Sequence, residues 1–374
     1  MGSFQLHPNF AGTSVSFSPW EPGRIIVSAA ANFGVFGKGA VYCLRIPQNE
    51  GLQVNGSLRC EFISPMNDAC YDVSFAECAN NVFVAATGDG IKIIQHENPQ
   101  QENGNPVICE PVGHLSEHRG EVSSVNFNNV QKTMFASGSN DQTVKIWDIN
   151  RLSSVSTMFA HEKEVYEVSW SPHSAFHIAS CAGDGALKIW DIRHNPGYSN
   201  TSVRGSSLFT AQAGSGILSV DWNKYSNMLA SSSIDNKIRL WDLRKLEKEV
   251  LTLHGHDAAV RRVRWSPHSR STLLSAGYDF RCCVWDINHL TSETGMQNPL
   301  IQRYHHHSEF VIGIGWSLFE RNQVASCGFD GHVYSWTLGN QPVRTPSRNL
   351  PFPTVTQSKR VTPSNQGRAP REVI

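Results

Sequence analysis

The dipeptide Trp-Asp recurs along this chain at a nearly regular interval. It stands at 147–148, 190–191, 241–242 and 285–286, and Trp336-Thr337 is a weaker fifth copy. Successive tryptophans are 43 to 51 residues apart. A repeat of this length is one supersecondary unit, and such a unit cannot bury its apolar face alone. We therefore expect an array of similar units that cover one another's faces.

Other residue types recur at fixed distances from the five tryptophans. An aspartate precedes each tryptophan by six residues, and a serine precedes each aspartate by four (Asp141, Asp184, Asp235, Asp279, Asp330; Ser137, Ser180, Ser231, Ser275, Ser326). A histidine stands 29 residues before four of the tryptophans (His118, His161, His256, His307), and Gln212 takes this place before Trp241. We interpret the histidine, serine, aspartate and tryptophan of each unit as a hydrogen-bonded chain. Loss of one member should cost about 1–3 kcal/mol, because its partner is left unsatisfied.

Between these positions lie short β-rich runs bounded by turn residues, such as 122–127, 134–139 and 143–147. Such runs are typical of antiparallel strands. Weaker copies at 15–46 and 70–95 bring the number of units to seven. These recurrent positions, which we call columns, resemble those of the WD-repeat family over roughly 15–338. The prediction is an all-β fold, a seven-bladed WD-repeat β-propeller, because a closed ring of sheets leaves little open edge.

The two ends of the chain are predicted to behave differently. The propeller is assigned to residues 1–338, and its last blade lacks an outer strand unless the segment from Ser3 to His7 supplies one. Residues 339–374 are rich in Pro, Ser and Thr and carry six basic residues against one Glu. This composition cannot bury enough apolar surface to order itself, so a disordered basic tail is expected.

Charge and cysteine usage narrow the class of protein. The chain has 32 basic and 32 acidic residues, which argues against a broad electrostatic contact with nucleic acid or anionic lipid. Nine cysteines are an odd number, and six of them fall in strand-like runs (Cys43, Cys70, Cys181, Cys282, Cys283, Cys327). We interpret them as buried apolar residues in a reducing compartment. Without a signal peptide or a long apolar run, the protein is expected to be soluble and not to insert into membranes.

Several motifs suggest chemistry, but each is better explained by architecture. In the run from His305 to His307, the last residue falls in the histidine column, and no cysteine or carboxylate stands beside the run at a ligand spacing. Cys282 and Cys283 are neighbours in a strand and should point to opposite faces. The glycines of 33–39 match no nucleotide-binding fingerprint and indicate a hairpin. We therefore expect an interaction protein with no catalytic, cofactor-binding or metal-binding residues.

A partner site is expected around the mouth of the central channel of the propeller. The positions left free by the repeat lie three and five residues after the histidine column and just before the turn aspartates. They mix carboxylates with aromatic and aliphatic side chains, as a groove for a basic amphipathic helix would. The candidate peptide-binding residues are Asp68, Tyr71, Glu121, Glu164, Tyr166, Ile234, Tyr278 and Phe310.

Longer stretches carry a more specific resemblance. Residues 28–34, 67–72, 117–122, 260–268, 275–279 and 306–311 are similar to the peroxin 7 family. Members of that family are receptors for the type-2 peroxisomal targeting signal, a short N-terminal helix that opens with a basic residue. The resemblance implies cargo such as thiolase, an import co-receptor and the peroxisomal docking machinery as partners. It also implies a cytoplasmic protein that shuttles to the peroxisome matrix.

Two other functions remain open at this point. Trp190-Asp191-Ile192-Arg193 and Trp241-Asp242-Leu243-Arg244 resemble the Trp-Asp-x-Arg signature of substrate adaptors of cullin-type ubiquitin ligases. That signature is common among propellers. A generic propeller scaffold without one preferred ligand would show the same repeats.

Overall fold

The computed structural model describes residues 1–32, 37–47, 57–96, 106–194, 207–244, 248–290 and 299–339. Within these residues the strands form seven sheets, one of five strands and six of four. The innermost strand of each sheet contacts those of the sheets on either side, and the first contacts the last. The ring is therefore closed, and the prediction of a seven-bladed propeller is confirmed.

Blades 1 and 2 share an unusual outer edge. After strand β1 (Gly2–Gln5), blade 1 contains β2 (Phe10–Phe17), β3 (Arg24–Ala31), β4 (Gly39–Arg45) and β5 (Arg59–Met66). Blade 2 contains β6 (Cys70–Phe75), β7 (Val82–Thr87) and β8 (Gly90–Gln95). The chain then forms β9 (Val107–Ile108), which pairs in parallel with β5, and β10 (Gly113–Leu115), which completes blade 2. The segment from β9 to β10 thus joins the outer edges of both blades.

The remaining blades follow the repeat in order. Blade 3 contains β11 (Val122–Phe127), β12 (Met134–Ser139), β13 (Thr143–Asp148) and β14 (Ser153–Phe159), and blade 4 contains β15 (Val165–Trp170), β16 (His177–Ala182), β17 (Ala186–Asp191) and β18 (Phe209–Gln212). Blade 5 contains β19 (Ile217–Trp222), β20 (Met228–Ser233), β21 (Lys237–Asp242) and β22 (Leu251–His254). Blade 6 contains β23 (Val260–Trp265), β24 (Thr272–Gly277), β25 (Cys282–Asp286) and β26 (Leu300–Tyr304). Blade 7 contains β27 (Val311–Trp316), β28 (Gln323–Gly328) and β29 (His332–Thr337), and 3₁₀ turns occur at Ile192–His194 and Ile287–Leu290.

The N-terminal strand closes the ring. Strand β1 pairs antiparallel with β29, from Gly2 opposite Ser335 to Gln5 opposite His332. The amide of Leu6 donates to the carbonyl oxygen of Gly331 at 2.8 Å, and the Leu6 side chain is buried. The prediction that the start of the chain supplies the outer strand of the last blade is confirmed. The observed strand begins one residue before the predicted segment and ends two residues before its end.

The core lies between neighbouring blades, in seven apolar clusters. Cys282 packs into the cluster between blades 6 and 7, whereas Cys283 packs into the cluster between blades 5 and 6. The two neighbouring thiols therefore point to opposite faces, as predicted. All nine cysteines are free, and the six in strand-like runs are buried.

The chain divides into two units, residues 1–341 and 342–374, and every described strand belongs to the first. The predicted tail from residue 340 onward lies outside the described residues, so its disorder and the boundary after Leu338 remain predictions. The centre of the glycine-containing segment, 33–36, also lies outside them, although the flanking strands β3 and β4 pair antiparallel. Among the described residues no helix has the length and apolar character needed to cross a membrane.

Candidate functional site

The recurrent polar residues form hydrogen bonds that define one face of the propeller. In blade 3, His118 contacts Asp141 through Nδ1 at 2.8 Å and Ser137 through Nε2 at 2.7 Å. The indole of Trp147 donates to the same Ser137 hydroxyl at 2.8 Å. Blades 4 and 6 repeat this arrangement. The predicted chain is thus confirmed in these three blades, and it ties the loop before the first strand to the turn between the second and third. We call the face that carries these loops and turns the upper face.

Blades 5 and 7 keep only part of the predicted chain. In blade 5, Trp241 still donates to Ser231 at 2.8 Å, but Gln212 stands in place of the histidine, and Asp235 accepts hydrogen bonds from Arg239 and Ser233, each at 2.5 Å. Burial raises the pKa of Asp235, but these hydrogen bonds lower it to about 2. In blade 7 the place of the tryptophan at Ser326 is taken by His306, whose Nε2 lies 3.1 Å from the hydroxyl. In blade 7 the predicted links of His307 to Asp330 and Ser326 are confirmed and only the tryptophan link is wrong. In blade 5, where Gln212 already interrupts the histidine column, only the Trp241–Ser231 link forms.

The first group of candidate residues lies on the upper face of blades 2 and 3. The Tyr71 hydroxyl hydrogen-bonds the Glu121 carboxylate, and Asp68 lies close enough to act on the same phenol. Burial, then the charges of Glu121 and Asp68, raise the pKa of Tyr71. Asn140 donates to Glu121 Oε2 at 2.9 Å. Glu121 is exposed, and Asp68 and Tyr71 are half-buried, so this group presents two carboxylates that remain accessible.

The second group surrounds Gly183 in blade 4. A Cβ atom at this glycine would lie 3.3 Å from both the Glu164 carboxylate and the Tyr166 hydroxyl, so a larger residue would crowd the pair. Ile234 of blade 5 reaches over Gly216, whose added Cβ would lie 2.7 Å from its Cδ1. The Ile234 side chain is 50% exposed. This group places a carboxylate beside an exposed aliphatic surface.

The third group is aromatic and lies on blades 6 and 7. The ring centroids of Tyr278 and Phe310 are 4.8 Å apart. Phe280 and Phe329 extend the group, at 5.5 and 5.9 Å from Phe310. Phe280 was missed by the sequence analysis. It occupies a turn position with φ of 64°, where bulky side chains are rare, and the equivalent turns carry Gln142, Gly185, Asn236 and Gly331.

Arg261 lies between the second and third groups. Burial and then the Glu164 carboxylate raise the pKa of Tyr166, and Arg261 opposes this shift. The Arg261 guanidinium also interacts electrostatically with Tyr278 and donates a hydrogen bond to the carbonyl oxygen of Leu218 at 3.0 Å. The eight candidate residues thus fall into three local groups on one face. The carboxylates are on blades 2 to 4 and the aromatic rings on blades 6 and 7.

Comparisons with known proteins identify the family. The profile of the WD domain, G-beta repeat, matches residues 109–148, 152–191, 205–242 and 247–286. The chain is 37% identical over 335 residues to Peroxisome biogenesis protein 7 of Arabidopsis thaliana, covering 89% of this chain and 97% of that protein. It is 35% identical over 325 residues to the Peroxisomal targeting signal 2 receptor of Mus musculus (86% and 92%) and 29% identical over 378 residues to that of Saccharomyces cerevisiae (87% and 97%). The chain belongs to the peroxisomal targeting signal 2 receptor family. This confirms the resemblance drawn from the sequence, and the family is named for a receptor and not for an enzyme.

Below the upper rim of this receptor-family protein, buried charged side chains form salt bridges across the channel. Arg262 of blade 6 contacts Glu167 of blade 4 at 2.5 Å and Asp72 of blade 2 at 3.2 Å. Burial raises the pKa of Glu167, but Arg264 and Arg262 lower it to about 2. All three residues stand third in the six-residue inner strands, a column that holds serine or glycine in the other blades. Opposite charges in that column were a signal that the sequence analysis missed.

His307, the last of three consecutive histidines, has a structural role. His307 contacts Asp330 at 2.8 Å and Ser326 at 2.7 Å, so both ring nitrogens are engaged. Burial and then the neighbouring His307 lower the pKa of His306 to about 3, which keeps that ring neutral. In the part of the chain that the structure describes, no three His, Cys, Asp or Glu side chains are grouped as metal ligands.

Proposed function

We propose that this protein is a cytosolic receptor that binds the N-terminal type-2 targeting signal helix of cargo proteins and, with a co-receptor, delivers them to the peroxisome matrix. The observation that carries the proposal is the division of the upper rim into an acidic part and an aromatic part. A helix with basic residues on one side and apolar residues on the other fits such a surface through i, i+3 and i+4 anchors. Thiolase is the kind of cargo expected, and the peroxisomal docking machinery a further partner.

The acidic part supplies the contact for the basic residues of the signal. Glu121 is already held by Tyr71 and Asn140, so its carboxylate is oriented before a ligand arrives. A pre-oriented group loses little side-chain entropy on binding. Asp68 lies on blade 2 and Glu164 on blade 4, on either side of Glu121 on blade 3, and together they extend the negative surface over blades 2 to 4.

The aromatic part supplies the apolar contact. Phe280 is 39% exposed, and its ring packs on the half-buried Phe310, so the group is both accessible and supported from below. Large aromatic side chains contribute much of the binding energy at interfaces because they bury area at a low entropic cost. The apolar side of the signal helix is therefore proposed to lie on blades 6 and 7.

The experiment is fluorescence anisotropy with a labelled type-2 signal peptide, with and without co-receptor. Glu121→Ala and Asp68→Ala should each weaken binding at least about tenfold, mainly through faster dissociation, because a charge of the peptide loses its partner. Glu320→Ala, an exposed carboxylate of the opposite face, is the matched control and should bind like the parent protein. Unchanged affinity in both rim variants would contradict the proposed site.

A second comparison separates site from scaffold. Asp235→Ala removes the partner of the mostly buried Arg239, so circular dichroism should show a damaged fold, with binding lost only as a consequence. The ligase-adaptor alternative gains no specific support. The guanidinium groups of Arg193 and Arg244 are already paired with Asp191 and Asp242, at 2.6 and 2.8 Å. No binding of the signal peptide by the parent protein would return the adaptor and the generic scaffold to consideration.

A further inference from the structure

The lower face of the propeller carries a second built surface. At the lower mouth of the channel, opposite the upper rim, lies a cavity of about 220 Å³. Its wall is formed by aromatic residues at the ends of five inner strands (Phe17, Phe75, Phe127, Trp265, Trp316). Lys224, Arg264, Asp221 and Glu77 also line it. The cavity therefore combines an apolar wall with charged side chains of both signs.

The buried charges in the channel separate the two mouths. Arg262 spans Asp72 and Glu167, and all three are at most 5% exposed. A ligand on the upper rim and a ligand in the lower cavity would therefore not share contacts. This independence allows each face to be tested by itself.

The loops around the lower cavity expose apolar side chains. Trp20 is 40% exposed, Tyr225 55%, Leu318 47% and Phe319 46%. All of them lie in loops that join the first and second strands of a blade, and these loops share the lower face. Exposed apolar groups gathered around a cavity are typical of a protein–protein contact.

The same loops are held in place by hydrogen bonds from blade to blade. The Trp20 indole donates to the carbonyl oxygen of Ala76 at 3.0 Å. The Asn223 side-chain amide donates to the carbonyl oxygen of Arg270 at 2.8 Å, and Nε2 of His268 contacts the carbonyl oxygen of Ser317 at 2.9 Å. A surface that is already ordered loses little entropy when a partner binds.

The charges and donors of this face indicate the chemistry of a partner. Among the described residues of these loops, Lys132, Arg270 and Arg321 are exposed and belong to no salt bridge, whereas Glu320 is the one exposed carboxylate. The half-buried Glu77 lies near Lys132, which also lies over the ring of Trp20. Lys224 and Arg264, in contrast, are already paired with Asp221 and Glu167. A partner with carboxylates or exposed carbonyl oxygens next to apolar side chains would pair with the exposed basic groups.

We propose that the lower face binds an acidic segment of a partner protein, one that inserts an aromatic or aliphatic side chain into the lower cavity. The inference does not depend on the proposed function of the upper rim. The chain's own tail fits poorly as an occupant, because residues 339–374 carry six basic residues and one Glu and would meet the basic loops with like charge. A second copy of the chain is a distinct alternative that the experiment separates.

The test is selection of a phage-displayed library of random peptides on the full-length protein, in the presence of saturating type-2 signal peptide. Enriched peptides should combine Asp or Glu with Phe, Trp or Leu. Each is then synthesised and its affinity measured by anisotropy. Leu318→Asp should weaken binding at least about tenfold and Arg321→Glu at least about fivefold, since the first removes apolar contact and both add negative charge.

The matched control is Ile108→Asp, which alters an aliphatic side chain 60% exposed on the outer-edge strand β9 and should leave peptide binding unchanged. Signal-peptide binding and the melting temperature should be the same in all three variants. The proposal is overturned if no peptide is enriched, if the enriched peptides lack acidic residues, or if they bind Leu318→Asp like the parent. It is also overturned if sedimentation velocity shows a dimer that Leu318→Asp dissociates.

Discussion

Nη1 of Arg262 in β23 donates a hydrogen bond to Oε1 of Glu167 in β15 at 2.5 Å, and this contact joins blade 6 to blade 4 through the channel. The other terminal nitrogen reaches Asp72 in blade 2 at 3.2 Å. Oδ2 of Asp72 in turn accepts the amide of Val125 in blade 3, and Oε2 of Glu167 accepts that of Val220 in blade 5. One ion cluster therefore connects five of the seven blades, which makes it part of the ring's stability.

Replacement of the central guanidinium should be costly. Arg262→Met leaves Asp72 and Glu167 buried, and the salt bridge of Glu167 with Arg264 remains. Removal of one partner from a buried ion cluster costs about 3–5 kcal/mol, because a buried charge is left uncompensated. Urea unfolding followed by circular dichroism measures the loss. Arg303→Met, at an exposed arginine of blade 6, is the control. A loss below about 1 kcal/mol for Arg262→Met would show that water or rearrangement compensates the two carboxylates.

The same cluster predicts a pH dependence. The pKa of Glu167 falls from the ordinary 4.5 to about 2 on folding, so the folded state binds its proton less tightly than the unfolded chain does. The resulting stabilisation is complete above pH 4.5 and is lost as the pH falls from there toward 2. Glu167→Gln should therefore show a smaller loss of unfolding free energy on acidification over this range. Equal slopes for the parent, Glu167→Gln and the exposed control Glu320→Gln would contradict the assignment.

The N-terminal clasp should contribute strongly to stability. Deletion of residues 1–8 removes β1, exposes the edge of β29 and uncovers the cluster in which Leu6 is buried. An open edge and an incomplete blade destabilise a closed ring, so the melting temperature should fall by about 10 °C or more. Truncation of residues 341–374 is the matched control, and its composition predicts little change. The clasp would be dispensable if the two truncations melted alike.

The fold could be predicted from the sequence because its information is repeated. Each blade places the same residue types at the same offsets, so Asp141 and Asp184 support one another as evidence even though each alone would be weak. Blade 1 has no Trp-Asp pair, but the strand pattern of residues 15–46 was sufficient to place it, although its outer strand β5 lies beyond that range. The parallel strand β9 was not anticipated, because a strand of two residues leaves almost no periodic signal.

The candidate site could be predicted only in part. Offsets from the histidine column placed Glu121, Glu164 and Phe310 on one face, since these positions depend on the local frame of each blade. Contacts between blades depend on the closed ring, and the sequence alone does not show which positions meet across the channel. Arg262 and Glu167 are 95 residues apart, and their pairing became visible only in the folded ring.

Phe280 provides the sharpest test of the aromatic part of the upper rim. Its φ of 64° places a bulky side chain in the left-handed region, at a cost of about 1–2 kcal/mol relative to glycine. Phe280→Gly should therefore leave the unfolding free energy unchanged or raise it, while the ring contact with Phe310 at 5.5 Å is lost. Since aromatic anchors dominate interface energetics, affinity for the type-2 signal peptide should fall about tenfold. Gln142→Gly relieves a similar φ of 69° in blade 3 without removing an aromatic ring and should bind like the parent. If Phe280→Gly gains stability and still binds the peptide with parental affinity, the aromatic group is not the apolar contact, and the signal helix must lie elsewhere on the upper face.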